Sequence, residues 1–196
     1  MQGYFIIPPL LYLNNSPEVF GQRLEAIFNR HTIISKACLR DDFKRIKNYF
    51  KPFVEICKAY EVESYINSEE ASLSVETALN YSFDGVHFKD KFYPYFEPLK
   101  TPLAMLKAHN KRCFYSAHSL SCVFDTLKKG IDFVTLSPIF PTPNKGTPLG
   151  VEIFNHCEGI EKSRLFALGG IISQAQIDWL KKQGVQGFAA RRYFLQ

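Results

Sequence analysis

The chain has 196 residues, 46% hydrophobic and 22% charged, with a net charge of +5. This length supports one full hydrophobic core and leaves little for a second, so residues 1–196 read as a single domain. The mild positive charge suits a protein that handles small anions and is too diffuse to indicate nucleic acid as a partner.

Strand-like apolar runs occur at Tyr4–Pro8, Thr32–Ala37, Ser64–Asn67, Gly85–Phe88, Arg112–Ala117, Phe133–Ile139, Arg164–Leu168 and Gly187–Ala190. Segments with helical spacing lie between them: Pro17–Asn29, Asp41–Tyr60, Ser68–Tyr81, Thr101–His109, Ser119–Lys129, Val151–Glu158 and Ser173–Gln183. Eight strands alternating with helices imply parallel pairing and a closed (β/α)₈ TIM barrel of the α/β class. An open doubly wound sheet is the alternative, but the first turn, "PPLLYLNNSP", has no G-x-G-x-x-G. Few residues follow the eighth strand, so the final helix is expected to be short or missing. The apolar wall it leaves bare would suit a homodimer interface.

Several features count against other classes. Cys38, Cys57, Cys113, Cys122 and Cys157 are odd in number and form no C-x-x-C pair. They read as free thiols in a reducing compartment rather than zinc ligands or disulfides. The N-terminal stretch lacks a basic leader and is broken by Pro8-Pro9, and no apolar run nears the ~18 residues that span a bilayer. A cytoplasmic location without membrane partners is expected. Arg40, Lys44, Lys47 and Lys51 fall on one face of the second helical segment and read as a solvated surface.

In a (β/α)₈ barrel the chemistry sits at the C-terminal ends of the strands. Those ends present Asn67; Lys89 and Asp90; Ser116 and His118; Ser137 with the loop residues Thr142, Asn144 and Lys145; Gly169-Gly170; and Arg191-Arg192. The glycine pair precedes a helix that Ser173 can cap, so its backbone N–H groups could approach a phosphate. The two arginines add positive charge nearby. His118 is the candidate acid/base, because imidazole suits proton transfer near neutral pH, although it could also merely cap a helix. His87 reads as a buried, hydrogen-bonded structural residue.

These motifs also form an ordered series. "INSEEA", "DGVH", "SAHS", "FVTLSPIFPTPNKG", "FALGGI" and "GVQGFAA" together resemble the thiamine-phosphate synthase/TenI family. The resemblance implies a (β/α)₈ barrel. It implies that Thr142, Asn144 and Lys145 clamp the pyrophosphate of a pyrimidine substrate, and that Gly169-Gly170 holds the phosphate of a thiazole.

The departures matter too. Synthases carry Q-L-R-x-K at the end of strand 2, where "TIISKAC" offers Lys36. They hold Mg²⁺ with two aspartates, whose places fall at Ser68 and near Phe92, leaving Asp90 as the only substitute. Without that metal the synthase reaction loses a large electrostatic contribution. The leading expectation is therefore a TenI-like thiazole tautomerase that binds thiazole phosphate, uses His118 and needs no cofactor. A synthase requiring Mg²⁺ and a non-catalytic phosphate-binding barrel are the alternatives.

Overall fold

Strand and helix alternate throughout the computed structural model, which describes residues Met1–Gln196. The first half runs β1 (Gln2–Ile6), α1 (Pro17–Arg30), β2 (Ile34–Arg40), α2 (Phe43–Ile46), α3 (Phe50–Ala59), β3 (Glu63–Asn67), α4 (Ala71–Asn80) and β4 (Gly85–Phe88). The second half runs α5 (Lys100–Ala108), β5 (Arg112–Ala117), α6 (Leu120–Lys128), β6 (Phe133–Leu136), α7 (Gly159–Lys162), β7 (Leu165–Leu168), α8 (Gln174–Lys182) and β8 (Gly187–Ala190). Each strand pairs in parallel with the next, and β8 pairs with β1 to close an eight-stranded barrel. No helix is long and apolar enough to cross a membrane.

Side chains alternate across the strands, which separates two cores. Tyr4, Ile6, Cys38, Tyr65, Phe114, Phe166 and Ala189 fill the barrel interior. A larger cluster packs the outer faces of the strands against the helices. Inside, Tyr4 stacks on Phe114 with ring centroids 4.4 Å apart, while Tyr65 and Phe166 meet Phe114 edge-on at 4.9 and 5.1 Å. So many rings fit because Gly187 faces inward without a side chain; a Cβ there would come within 2.4 Å of the Phe166 ring.

Local chemistry explains where elements differ from expectation. The segment Asp41–Tyr60 is not one helix: a 3-10 turn at Lys47–Tyr49 separates α2 from α3. Pro52 has no N–H to give to the Asn48 carbonyl, so the α-helical ladder cannot run through this point. Strand β6 stops at Leu136, because Pro138 cannot donate to a ladder. Val151–Glu158 forms a 3-10 helix at Glu152–His156, with the short α7 after it.

Strand β2 differs most. It runs on to Arg40 rather than ending near Ala37. Arg40 is therefore the last residue of a strand, and the expected basic helix face does not include it.

After β8 comes only a 3-10 turn, Tyr193–Leu195. Phe194 in that turn is fully buried, with its ring 5.4 Å from Phe5 and 5.5 Å from Phe188. Phe194 thus packs on the outer wall at β1 and β8, the wall expected to suit a homodimer interface.

Candidate functional site

Lys36, expected at the mouth, lies at the opposite end of the barrel. It stands near the start of β2, is 2% exposed, and bonds Glu63 Oε1 at 2.9 Å. Arg112 Nη1 reaches the same oxygen at 3.4 Å, and Tyr65 Oη donates to Glu63 Oε2 at 2.6 Å. Burial pushes the Glu63 carboxyl up, but Tyr65, Lys36 and Arg112 outweigh it and hold the group below its ordinary range. Burial lowers the Lys36 ammonium from its ordinary value, against the pull of Glu63. This cluster plugs the barrel floor. Lys36 cannot reach a ligand at the other end.

Above the aromatic interior, His87 connects β1 to β5. Its Nδ1 lies 3.0 Å from Tyr4 Oη and its Nε2 3.0 Å from Ser116 Oγ. Burial, assisted by the Arg40 charge, pushes this imidazole down to about 3, so it is neutral in the working pH range. His87 is the expected structural histidine, and Ser116 is its partner.

The second histidine is open to solvent. His118 Nδ1 lies 2.7 Å from the Ser137 carbonyl oxygen, and its Nε2 lies 3.0 Å from Asp90 Oδ2. Both partners accept, and both are satisfied together only when each ring nitrogen carries a hydrogen. The two contacts fix the plane of the ring at the mouth. Strand β5 delivers His118, β6 delivers Ser137, and the turn after β4 delivers Asp90.

The β6 loop folds onto the Gly169-Gly170 turn. Phe140 N–H donates to the Gly169 carbonyl at 3.1 Å. Gly169 and Gly170 have φ of +96° and +71°, and a Cβ on Gly170 would lie 2.6 Å from the Pro141 carbonyl oxygen. Both glycines are needed for backbone geometry and close approach before any ligand is considered. Gln176 Oε1 accepts from the N–H groups of Ile172 and Ser173, completing the α8 cap. The N–H groups of Gly170 and Ile171 are the donors left for an anion.

The loop residues divide. Thr142 Oγ1 donates to the Phe140 carbonyl at 2.9 Å and lies against Gly169. Asn144, at φ 59°, and Lys145 stand exposed on the loop. Because Ser137 holds His118 and Pro138 packs on Gly169, the candidate acid/base and the glycine turn share one wall.

The remaining mouth residues are mainly cationic. Arg40 ends β2 and pairs in register with Asn67 at the end of β3. Asn67 is 1% exposed, and neither its Oδ1 nor its Nδ2 has a hydrogen-bond partner. A buried amide left without partners costs about 1–3 kcal/mol, an arrangement that fits a ligand able to pair it. Lys89 pairs with Glu69. Arg191 follows β8, where desolvation and the Arg40 charge lower its guanidinium from the ordinary value. Arg192 is exposed at the N-cap of the terminal turn.

Arg40 was missed as a site residue because its positive charge, next to Asp41-Asp42, looked like the start of a surface helix. A signal was present. Leu39-Arg40 at the end of β2 match the L-R of the Q-L-R-x-K segment, with Cys38 in the glutamine's place and Asp42 in the lysine's.

The comparisons agree with this architecture. The family model described as thiamine monophosphate synthase matches residues 4–194. The chain is 30% identical over 199 residues to a putative thiamine-phosphate synthase 2 of Aquifex aeolicus, covering 96% of this chain and 98% of that protein. It is 27% identical over 181 residues to a thiamine-phosphate synthase of Prochlorococcus marinus, covering 91% of this chain but only 49% of that longer protein. Among solved structures, the thiamine phosphate pyrophosphorylase of Pyrococcus furiosus superposes with a TM-score of 0.69 at 20% identity, covering 97% of this chain and 85% of that one. From the matched span and the barrel mouth together, the chain belongs to the thiamine-phosphate synthase/TenI family.

Proposed function

We propose that the chain acts as a TenI-like thiazole tautomerase, holding thiazole phosphate at the Gly169-Gly170 turn and moving a ring proton with His118. The observation that carries this reading is the Asp90–His118–Ser137 arrangement, open to solvent beside the glycine turn. Asp90 faces one ring nitrogen and the Ser137 carbonyl the other, so the imidazole is held in one orientation while it exchanges a proton. The Gly170 and Ile171 N–H groups bind the phosphate from the N-terminal side of α8. Thr142 and Lys145, on the overlying loop, approach the same anion from above.

The donor set argues against Mg²⁺ in this mouth. Ser68 stands where synthases have an aspartate, and its hydroxyl bonds Ser74 Oγ at 2.7 Å and the Glu70 carbonyl at 3.2 Å. Asp90 is paired with His118, and Glu69 with Lys89 and Lys91. A proton transfer on a phosphorylated thiazole needs no metal, which is why this reading is preferred.

The test is exchange of the thiazole ring proton into deuterated buffer, followed by NMR, with purified chain and the phosphorylated thiazole carboxylate. His118→Gln is expected to slow exchange roughly 10²-fold or more while leaving ligand binding intact. Equal rates for the two proteins would sink the reading.

Arg40 and the unpartnered Asn67 favour a second reading, a thiamine-phosphate synthase that holds pyrimidine pyrophosphate on that side of the mouth. Formation of thiamine phosphate from the two precursors would establish it.

A further inference from the structure

The side chain of Gln176 does more than cap α8. Its Oε1 accepts from the Ile172 and Ser173 N–H groups at 2.8 and 3.1 Å, and its Nε2 donates to the Gly170 carbonyl at 3.0 Å. These partners fix the amide, since an oxygen suits two N–H groups and a nitrogen suits a carbonyl. A glutamate in the same place would still form the capping box with Ser173, but it has no hydrogen to give the Gly170 carbonyl.

That carbonyl belongs to the part of the chain least able to hold its own conformation. Gly169 and Gly170 have no Cβ, so the peptide planes around them turn at little steric cost. A trans peptide unit points its C=O and its N–H to opposite sides. Holding the Gly170 carbonyl against α8 therefore turns the Ile171 N–H away from α8. One residue earlier, the Phe140 N–H holds the Gly169 carbonyl at 3.1 Å against the β6 loop, and this sets the direction of the Gly170 N–H. The two donors of the turn are thus aimed by two separate bonds, one from the β6 loop and one from Gln176. Were the Gly170–Ile171 peptide to turn over, it would present a carbonyl oxygen to an anion in place of an N–H.

We propose that Gln176 is a positioning residue for the glycine turn, holding the Gly170–Ile171 peptide in the one orientation that offers an N–H to a phosphate ester. The proposal rests on the reading that this turn binds phosphate. Gln176 touches no ligand and acts only through the backbone it holds. An amide is required because the side chain must accept from two N–H groups on one side and donate to a carbonyl on the other. The role stands whether or not His118 moves a proton.

The experiment titrates the ¹⁵N-labelled whole chain with inorganic phosphate and follows the Gly170 and Ile171 amides by NMR. Both should shift in the parent and equally in His118→Gln, which separates this result from the proton-transfer reading. In Gln176→Glu and in Gln176→Met, binding should weaken about tenfold, the worth of one N–H donor to a charged group. At saturating phosphate the Ile171 shift should be largely lost in both variants, while the Gly170 shift persists. Gln176→Glu should melt no lower than the parent, because a carboxylate there still caps α8 and suits its N-terminus. Gln176→Met loses the cap and should melt lower. An Ile171 shift retained in both variants would overturn the proposal. So would a loss confined to Gln176→Glu, which is charge repulsion alone, or equal losses at both amides, which is a general loosening of the turn. Amides that do not move in the parent would overturn it together with the phosphate reading.

Discussion

His87 and His118 are thirty-one positions apart in the chain, yet the barrel gives them opposite chemistry. His87 is enclosed and pushed down to about 3, whereas His118 stands at the rim with an acceptor at each nitrogen. The His87 shift has a definite sign. Its folded value lies below the ordinary 6.5, so the unfolded chain takes up a proton that the folded chain refuses. The stability this contributes is complete above pH 6.5 and is lost as pH falls toward 3. At pH 4.5 the loss amounts to roughly 3 kcal/mol. Urea denaturation at pH 7 and pH 4.5 should show it, and His87→Gln should flatten that part of the acid limb; an identical limb in the variant would refute it. Asn67 follows the opposite logic, since its unpaired amide costs stability without a ligand. Asn67→Ala should leave the unfolding free energy unchanged or raise it by at most about 1 kcal/mol. A variant that melts far lower would show that the amide is structural.

The β7–α8 turn is the element on which the site depends most. Its glycines hold positive φ, and the β6 loop lies directly against them. Gly170→Ala meets two costs, about 1–2 kcal/mol for the left-handed backbone and about 1–3 for displacing Pro141 and Phe140. Thermal unfolding should show a loss of roughly 3 kcal/mol, with weaker phosphate-ester binding because the loop over the turn shifts. Full stability in that variant would mean the loop can yield without cost. Strand β2 shows how element boundaries govern function. Ending it at Ala37 puts Lys36 near the mouth, while extending it to Arg40 moves Lys36 to the floor and brings Arg40 to the mouth. Lys36 fits at the floor because Glu63 and the Phe133 ring, 5.2 Å from its ammonium, accommodate its charge inside the barrel.

A closed barrel needs its outer wall covered, and Phe194 in the Tyr193–Leu195 turn packs on the wall near β1 and β8. Phe194→Ala removes a fully buried ring packed on Phe5 and Phe188 and should cost about 3–4 kcal/mol in denaturant unfolding. A loss below about 1 kcal/mol would show that something else covers that wall. Much of the molecule was legible from residue order alone. All eight strands, their parallel closure and the His118, Gly169 and Gly170 positions follow from apolar periodicity, turn residues and the ordered motifs, because these signals are local. Charge, by contrast, is ambiguous in one dimension. Lys36, Arg40, Asp90 and Arg191 could each have served solvent, floor or site, and only the register of the strands chose among them. Amino-acid order by itself determined the barrel and the strand ends that carry its chemistry. The tertiary structure alone decided which charged groups find partners and which remain free for a ligand, because that depends on distances between residues far apart in the chain.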